Sequence, residues 1–174
     1  MAVKIGEKVP EFTAQAYVGG EFRKISLSDY KGKWVILFFY PRDFTFVCPT
    51  EIKGFAQAES AFRKLNADVV GASTDSEYSH KAWFEKELPM VKFPILADTN
   101  HKISRDYGVL VEGEGLALRG TFIIDPDGVL QYMVVANTSI GRSIQETVRT
   151  LEALQTGGLC PVDWKPGEKT LGKA

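Results

Sequence analysis

Apolar residues fall along this chain in runs and stripes that mark its elements. Trp34-Val35-Ile36-Leu37-Phe38-Phe39-Tyr40 is an unbroken apolar run, the pattern of a strand covered on both faces. Pro41 stops the run, Arg42-Asp43 open a loop, and a helical period starts at Pro49. The pattern predicts a central strand over 33–40. It then predicts a helix from Pro49 to about Asn66 that buries Ile52, Phe55, Ala58, Phe62 and Leu65. Residues 68–73 read as a second buried strand. Ser76 caps a helix carrying Tyr78, Ala82, Trp83 and Phe84, which Pro89 follows. Residues 93–96 are strand-like, and a small helix from His101 to Tyr107 stops at Gly108. Residues 121–124 and 129–134 flank Asp125-Pro126-Asp127-Gly128, so a hairpin is expected. Ser143 and Glu146 have the spacing of a capping box for a last helix burying Ile144, Val148, Leu151 and Leu154.

Ahead of the central strand, residues 1–32 read as a preface. Pro10 to Ala14 alternates, Gly19-Gly20 marks a turn, and a short hairpin follows from both. Ser28-Asp29-Tyr30-Lys31-Gly32 reads as a single turn. The element order implies an α/β fold with a central mixed sheet and helices on both faces. It carries an N-terminal hairpin extension and a C-terminal arm. The division is a domain over 1–158 and an arm over 159–174, where two Pro, two Gly and Trp164 occur without helical period.

Composition narrows the function classes. The 174 residues fit one domain, and 44% are apolar. A net charge of −1 offers no field for nucleic acid or an anionic membrane. Residues 1–7 lack the apolar core of a signal peptide, so the expected location is cytoplasmic. Two cysteines and two scattered histidines cannot build a four-ligand zinc site without carboxylates, so no metal or other cofactor is expected.

The candidate chemistry lies at Cys48. Pro49 suits the first turn of a helix because its missing N–H would have no partner there. The Cys48 sulfur should therefore sit at a helix N-terminus just past the end of the central strand, where partial positive charge favours a thiolate. A buried cysteine that only fills space is the plain alternative. Thr45, three residues earlier, offers a hydroxyl that can donate or accept beside the sulfur. Pro41 can shield the sulfur from water or simply end the strand.

The stretch from Phe39 to Ile52, Phe-Tyr-Pro-Arg-Asp-Phe-Thr-Phe-Val-Cys-Pro-Thr-Glu-Ile, resembles the active-site segment of the typical two-cysteine peroxiredoxins. That group contains alkyl hydroperoxide reductase C and the thioredoxin peroxidases. Ser76-Glu77-Tyr78-Ser79-His80, Arg119 to Asp125, Gly141-Arg142-Ser143 and Leu159-Cys160-Pro161 extend the likeness over nearly the whole chain. The resemblance implies a thioredoxin-like fold and a thiol-dependent peroxidase. Cys48 matches the cysteine that attacks peroxide, and Pro41 and Thr45 the loop residues beside it. Arg119 matches the active-site arginine, Arg142 a second arginine near it, and Glu51 the carboxylate that orients both. Cys160 matches the resolving cysteine, which condenses with the Cys48 sulfenic acid of the partner subunit. The implied partners are peroxides, thioredoxin or a flavoprotein dithiol reductase, and further copies of the chain in a homodimer and a ring of dimers.

Departures and rivals complete the reading. Peroxide-sensitive relatives carry a Gly-Gly-Leu-Gly insertion and a C-terminal helix bearing Tyr-Phe. Residues 88–94 hold no such motif, and the residues after Cys160 contain neither Tyr nor Phe. Resistance to overoxidation is therefore expected. A thioredoxin-type oxidoreductase would want Cys-x-x-Cys, but Glu51 stands in the fourth place. A cysteine phosphatase would want an arginine soon after its nucleophile, and residues 49–62 contain none. A holdase chaperone remains the non-enzymatic alternative.

Overall fold

The computed structural model describes residues 3–173. The expected α/β architecture is present. In chain order the elements are β1 (Thr13–Val18), β2 (Glu21–Ser26), a 3-10 turn (Leu27–Tyr30), β3 (Trp34–Phe39) and α1 (Cys48–Lys64). Then come β4 (Ala67–Ser73), α2 (Glu77–Glu87), β5 (Ile95–Ala97) and α3 (Lys102–Asp106). The chain continues with β6 (Leu110–Val111), β7 (Leu116–Ala117), β8 (Arg119–Ile124), β9 (Leu130–Ala136) and α4 (Ile144–Thr156). Seven strands form one mixed sheet in the order β2-β1-β5-β4-β3-β8-β9. β3 pairs in parallel with β4 and antiparallel with β8, so it lies near the middle.

Alternation along β3 builds both cores. Val35, Leu37 and Phe39 enter one cluster, with Ile103 and Tyr107 around α3 and Leu27 of the 3-10 turn. Ile36, Phe38 and Tyr40 enter the other, with Cys48, Ile52 and Phe55 of α1, Trp83 and Phe84 of α2, and Leu151 of α4. The three long helices thus share one face, and the short α3 takes the other. Both faces of β3 are dry, which is why its sequence is an unbroken apolar run.

Two glycines permit the packing that shapes the site. A Cβ on Gly71 would come within 2.8 Å of the Phe38 ring. Without it, Phe38 lies flat on Phe55, with centroids 4.1 Å apart at 13°. A Cβ on Gly54 would come within 2.9 Å of Ile144 Cγ1. Its absence lets the start of α4 press against the early turns of α1.

Several expectations need adjusting. The N-terminal hairpin is not a separate preface, because β1 pairs with β5 and so joins the main sheet. Only half of the Ser143–Glu146 capping box forms. The Ser143 hydroxyl accepts from the Glu146 N–H at 3.2 Å, while the Glu146 carboxylate turns to Arg149. Of the four apolar residues expected to be buried in α4, Leu151 alone is fully so, and Ile144, Val148 and Leu154 are half-buried against the core. The short β6–β7 hairpin has no sequence period long enough to announce it. Residues 161–173 fold back on their own chain. The Leu159 N–H donates to the Gly172 carbonyl at 2.9 Å, and Trp164 is buried with its carbonyl accepting from Arg149. Among the described residues, no helix is long and apolar enough to cross a membrane.

Candidate active site

Cys48 is the first residue of α1, with Val47 at the N-cap and Pro49 in the first turn. β3 delivers the chain to this point, and Pro41 breaks the strand as the sequence pattern requires. The Cys48 side chain is 1% exposed. It lies at the base of a cleft of about 300 Å³ walled by Pro41, Thr45, Leu116, Arg119 and Thr138.

The loop between β3 and α1 is pinned from beneath. Asp43 is buried, and its carboxylate accepts from the Tyr40 hydroxyl at 2.7 Å and the Ser79 hydroxyl at 2.8 Å. His80 Nδ1 lies 2.7 Å from the same carboxylate, and His80 Nε2 lies 3.1 Å from the Leu96 carbonyl. The Asp43 N–H donates to Asp75 at 2.7 Å. Burial first, and then the Asp43 charge, push the Tyr40 phenol well above its ordinary range, so it remains a donor. These bonds hold Phe44 in the left-handed region at φ 57°, a conformation that costs a bulky residue about 1–3 kcal/mol. The Phe44 ring packs on Trp83 with centroids 5.8 Å apart, although half of it stays exposed.

Glu51 follows Cys48 by three positions and so shares its helix face. Arg119 begins β8, the antiparallel neighbour of β3. Its Nη1 donates to the Cys48 sulfur at 3.4 Å and to Glu51 Oε2 at 2.6 Å, and its Nε donates to the Thr138 carbonyl at 2.8 Å. Arg142 stands just before the N-cap of α4, where the Gly54 contact brings it to α1. Its backbone N–H and Nε donate to Glu51 Oε1, and Nη2 to Oε2, each at 2.8 Å. Nη1 donates to the Gly120 carbonyl at 2.7 Å. The guanidinium faces the Phe38 and Phe55 rings at 5.4 and 5.8 Å. Burial alone would raise the Glu51 carboxyl, but the bonds and charge of Arg142, with Arg119 behind them, hold it below its ordinary value. Two guanidiniums against one carboxylate leave a net positive charge beside the sulfur.

The structure therefore brings Pro41, Thr45, Cys48, Glu51, Arg119 and Arg142 together. Thr45 is placed as expected but oriented otherwise. Its hydroxyl donates to the Arg42 carbonyl at 2.9 Å, closing the loop on itself, so toward the cleft it can only accept. Cys160 is not brought in. Its sulfur lies 3.5 Å from the Thr156 hydroxyl and 3.7 Å from the Ala153 carbonyl, beyond the end of α4. α4 runs alongside α1 in the same direction, with Ile144 against Gly54 at one end and Gln155 donating to the Leu65 carbonyl at the other. Cys48 starts α1 and Cys160 lies near its far end. The 17 residues of α1, at about 1.5 Å each, separate them by about 25 Å. Both thiols are free.

The family model described as AhpC/TSA matches residues 5–133. The chain belongs to that family, the peroxiredoxins. It is 52% identical over 175 residues to the putative peroxiredoxin YkuU of Bacillus subtilis, covering 96% of this chain and 97% of that one. It is 50% identical over 180 residues to a thioredoxin peroxidase of Echinococcus granulosus, covering 98% of this chain and 93% of that one. The crystal structure of reduced Plasmodium vivax 2-Cys peroxiredoxin superposes with a TM-score of 0.92 at 37% identity, covering 95% of this chain and 91% of that one. The stretch matched by the AhpC/TSA model contains Pro41, Thr45, Cys48, Glu51 and Arg119, whereas Arg142 and Cys160 lie beyond it.

One part of this peroxiredoxin site had no reading in the sequence. The Tyr40–Asp43–Ser79–His80 network supports the loop from residues 36 or more positions apart. The signal that could have found it is the period of α2. His80 falls on the same stripe as Trp83 and Phe84, and a buried polar residue on an apolar stripe needs a partner.

Proposed function

We propose that this chain is a thiol-dependent peroxidase that reduces hydrogen peroxide and organic hydroperoxides through Cys48. The observation that carries the reading is Arg119 Nη1 standing 3.4 Å from the Cys48 sulfur at the base of an open cleft. The name of the Echinococcus relative supports the same activity.

The chemistry follows from the positions. The Cys48 thiolate attacks the terminal peroxide oxygen, so a sulfur–oxygen bond forms as the oxygen–oxygen bond breaks. The electron pair leaves on the departing oxygen, which takes a proton and becomes water or an alcohol. Cys48 is left as a sulfenic acid. Arg119 supplies a fixed guanidinium beside the developing charge, and Nη2 of Arg119 has no protein partner among the described residues. Such a donor contributes on the order of 10²–10³ in rate. Glu51 and Arg142 hold Arg119 in place and do not touch the reacting atoms.

Regeneration needs a second thiol. Cys160 attacks the sulfenic sulfur, a disulfide forms, and water leaves. An external dithiol, thioredoxin or that of a flavoprotein reductase, then reduces the disulfide. A bridge needs Cα atoms within about 7 Å, whereas α1 holds the two cysteines of one chain about 25 Å apart. Cys160 therefore serves Cys48 of a partner subunit in a homodimer, after residues 159–174 release from α4 as an arm. Exposed Phe44 and Phe46 suit contacts between dimers in a ring. The working compartment is the cytoplasm. Peroxide consumption with dithiothreitol as reductant tests the assignment. Cys48→Ser should lose it while the fold persists, because a serine hydroxyl is barely ionised. Substantial turnover by the serine variant would remove Cys48 from the mechanism.

A further inference from the structure

We propose that Arg42 selects hydroperoxides that also carry a carboxylate, receiving that carboxylate at the rim of the cleft while the peroxide reaches Cys48. The inference rests on the peroxidase reading above and names the substrate class of that same site.

The charges of the cleft wall motivate it. Its charged residues are Arg42 and Arg119, with no Asp or Glu among them. Arg119 is committed, since it serves the Cys48 sulfur and is held by Glu51. Arg42 is exposed, and among the described residues its guanidinium makes one bond, from Nη2 to the backbone carbonyl of Glu114 at 3.1 Å. That bond to a neutral oxygen fixes the guanidinium at the rim without neutralising it. The β6–β7 turn that supplies this carbonyl is itself tied down, because the Thr74 hydroxyl donates to the Gly115 carbonyl at 2.8 Å. Glu114 meets Arg42 through its backbone carbonyl and not its carboxylate, and the neighbouring Asp43 carboxylate is buried and turned to Tyr40, Ser79 and His80.

Besides the two arginines, the wall includes the apolar side chains of Pro41, Phe46, Val47 and Leu116. An apolar body suits that stretch, a peroxide suits the Cys48 end, and an anion suits the Arg42 end. A planar guanidinium with free N–H groups recognises a carboxylate by a paired hydrogen bond. Hydrogen peroxide and uncharged hydroperoxides gain nothing from Arg42. Because the residue faces water, its effect is screened by salt.

The test compares para-carboxy cumene hydroperoxide with its methyl ester, which removes the charge and adds one methyl group. The rate constant for first-turnover oxidation of Cys48 is measured for each, and their ratio is taken in wild type, Arg42→Gln and Arg42→Glu. Gln removes the charge while keeping a polar N–H donor on a shorter side chain, and the ratio within each protein cancels any common effect of loop anchoring on the two compounds. The expected acid-to-ester ratio is several-fold above one in wild type at low salt, near one in Arg42→Gln and below one in Arg42→Glu. In wild type it should shrink toward one as salt rises. A wild-type ratio of one, or an equal ratio in all three proteins, overturns the role of Arg42 while leaving the peroxidase reading standing. Failure of wild type to oxidise with either compound removes the peroxidase reading, and this inference with it.

Discussion

Arg142 grips Glu51 through three hydrogen bonds of 2.8 Å, from its backbone N–H, Nε and Nη2. The same carboxylate receives Arg119 Nη1 at 2.6 Å. One acid on the face of α1 thus sets the position of a strand arginine and a loop arginine, and the first of these touches the nucleophile.

Glu51→Gln should therefore impair both stability and chemistry. All three side chains are at most 4% exposed, so the substitution leaves two buried guanidiniums facing a neutral amide. Breaking such a pair costs about 3–5 kcal/mol, readable by urea unfolding. Oxidation of Cys48 should slow as Arg119 loses its seat. The pH dependence has a definite sign. The folded carboxyl of Glu51 lies below its ordinary value, so its contribution is complete above the unfolded value, about 4.3, and is lost as pH falls through the folded one. The gap between wild type and Glu51→Gln should stay constant from about pH 7 to pH 5 and narrow only at lower pH. A gap that closes above pH 5 would mean that the pair does not hold the carboxylate ionised.

Arg119→Lys keeps the charge and loses the fork. A lysine ammonium cannot serve the sulfur, Glu51 and the Thr138 carbonyl from one planar group. The rate of Cys48 oxidation in stopped flow should drop by on the order of 10²-fold or more. A near-normal rate would reduce Arg119 to a structural ion pair.

Disulfide formation should join chains. Mild peroxide is expected to convert the wild type to a dimer on a non-reducing gel, reversed by dithiothreitol. Neither Cys48→Ser nor Cys160→Ser alone can form the doubly bridged species, and a mixture of the two should form one bridge per dimer. An oxidised monomer containing a Cys48–Cys160 peptide would require the arm to cross the length of α1 within one chain.

What the sequence revealed depended on whether a residue's surroundings were local. β3 was legible because both its faces are dry, and the placement of Cys48 because Pro41 and Pro49 bracket one loop. The N-terminal hairpin was legible as a hairpin, but its pairing with β5 was not, since Tyr17 meets Ile95 across almost half of the chain. Glu51, Arg119 and Arg142 are far apart in the chain, and only their resemblance to a family pattern grouped them. The Thr45 hydroxyl was placed beside the sulfur by proximity in sequence, but a carbonyl three residues back in the loop claimed its proton. The packing of Trp164 escaped notice because a lone aromatic in a Pro- and Gly-rich segment carries no period.

The central claim is that Cys48 is the residue that peroxide oxidises. Reduced Cys160→Ser protein, mixed rapidly with one equivalent of peroxide in the presence of dimedone, isolates that step by removing the thiol that would consume the sulfenic acid. Peptide mass spectrometry should find the dimedone adduct on Cys48, appearing within the first turnover and absent from Cys48→Ser. An unlabelled Cys48 after the peroxide has been consumed would contradict the mechanism at its first bond.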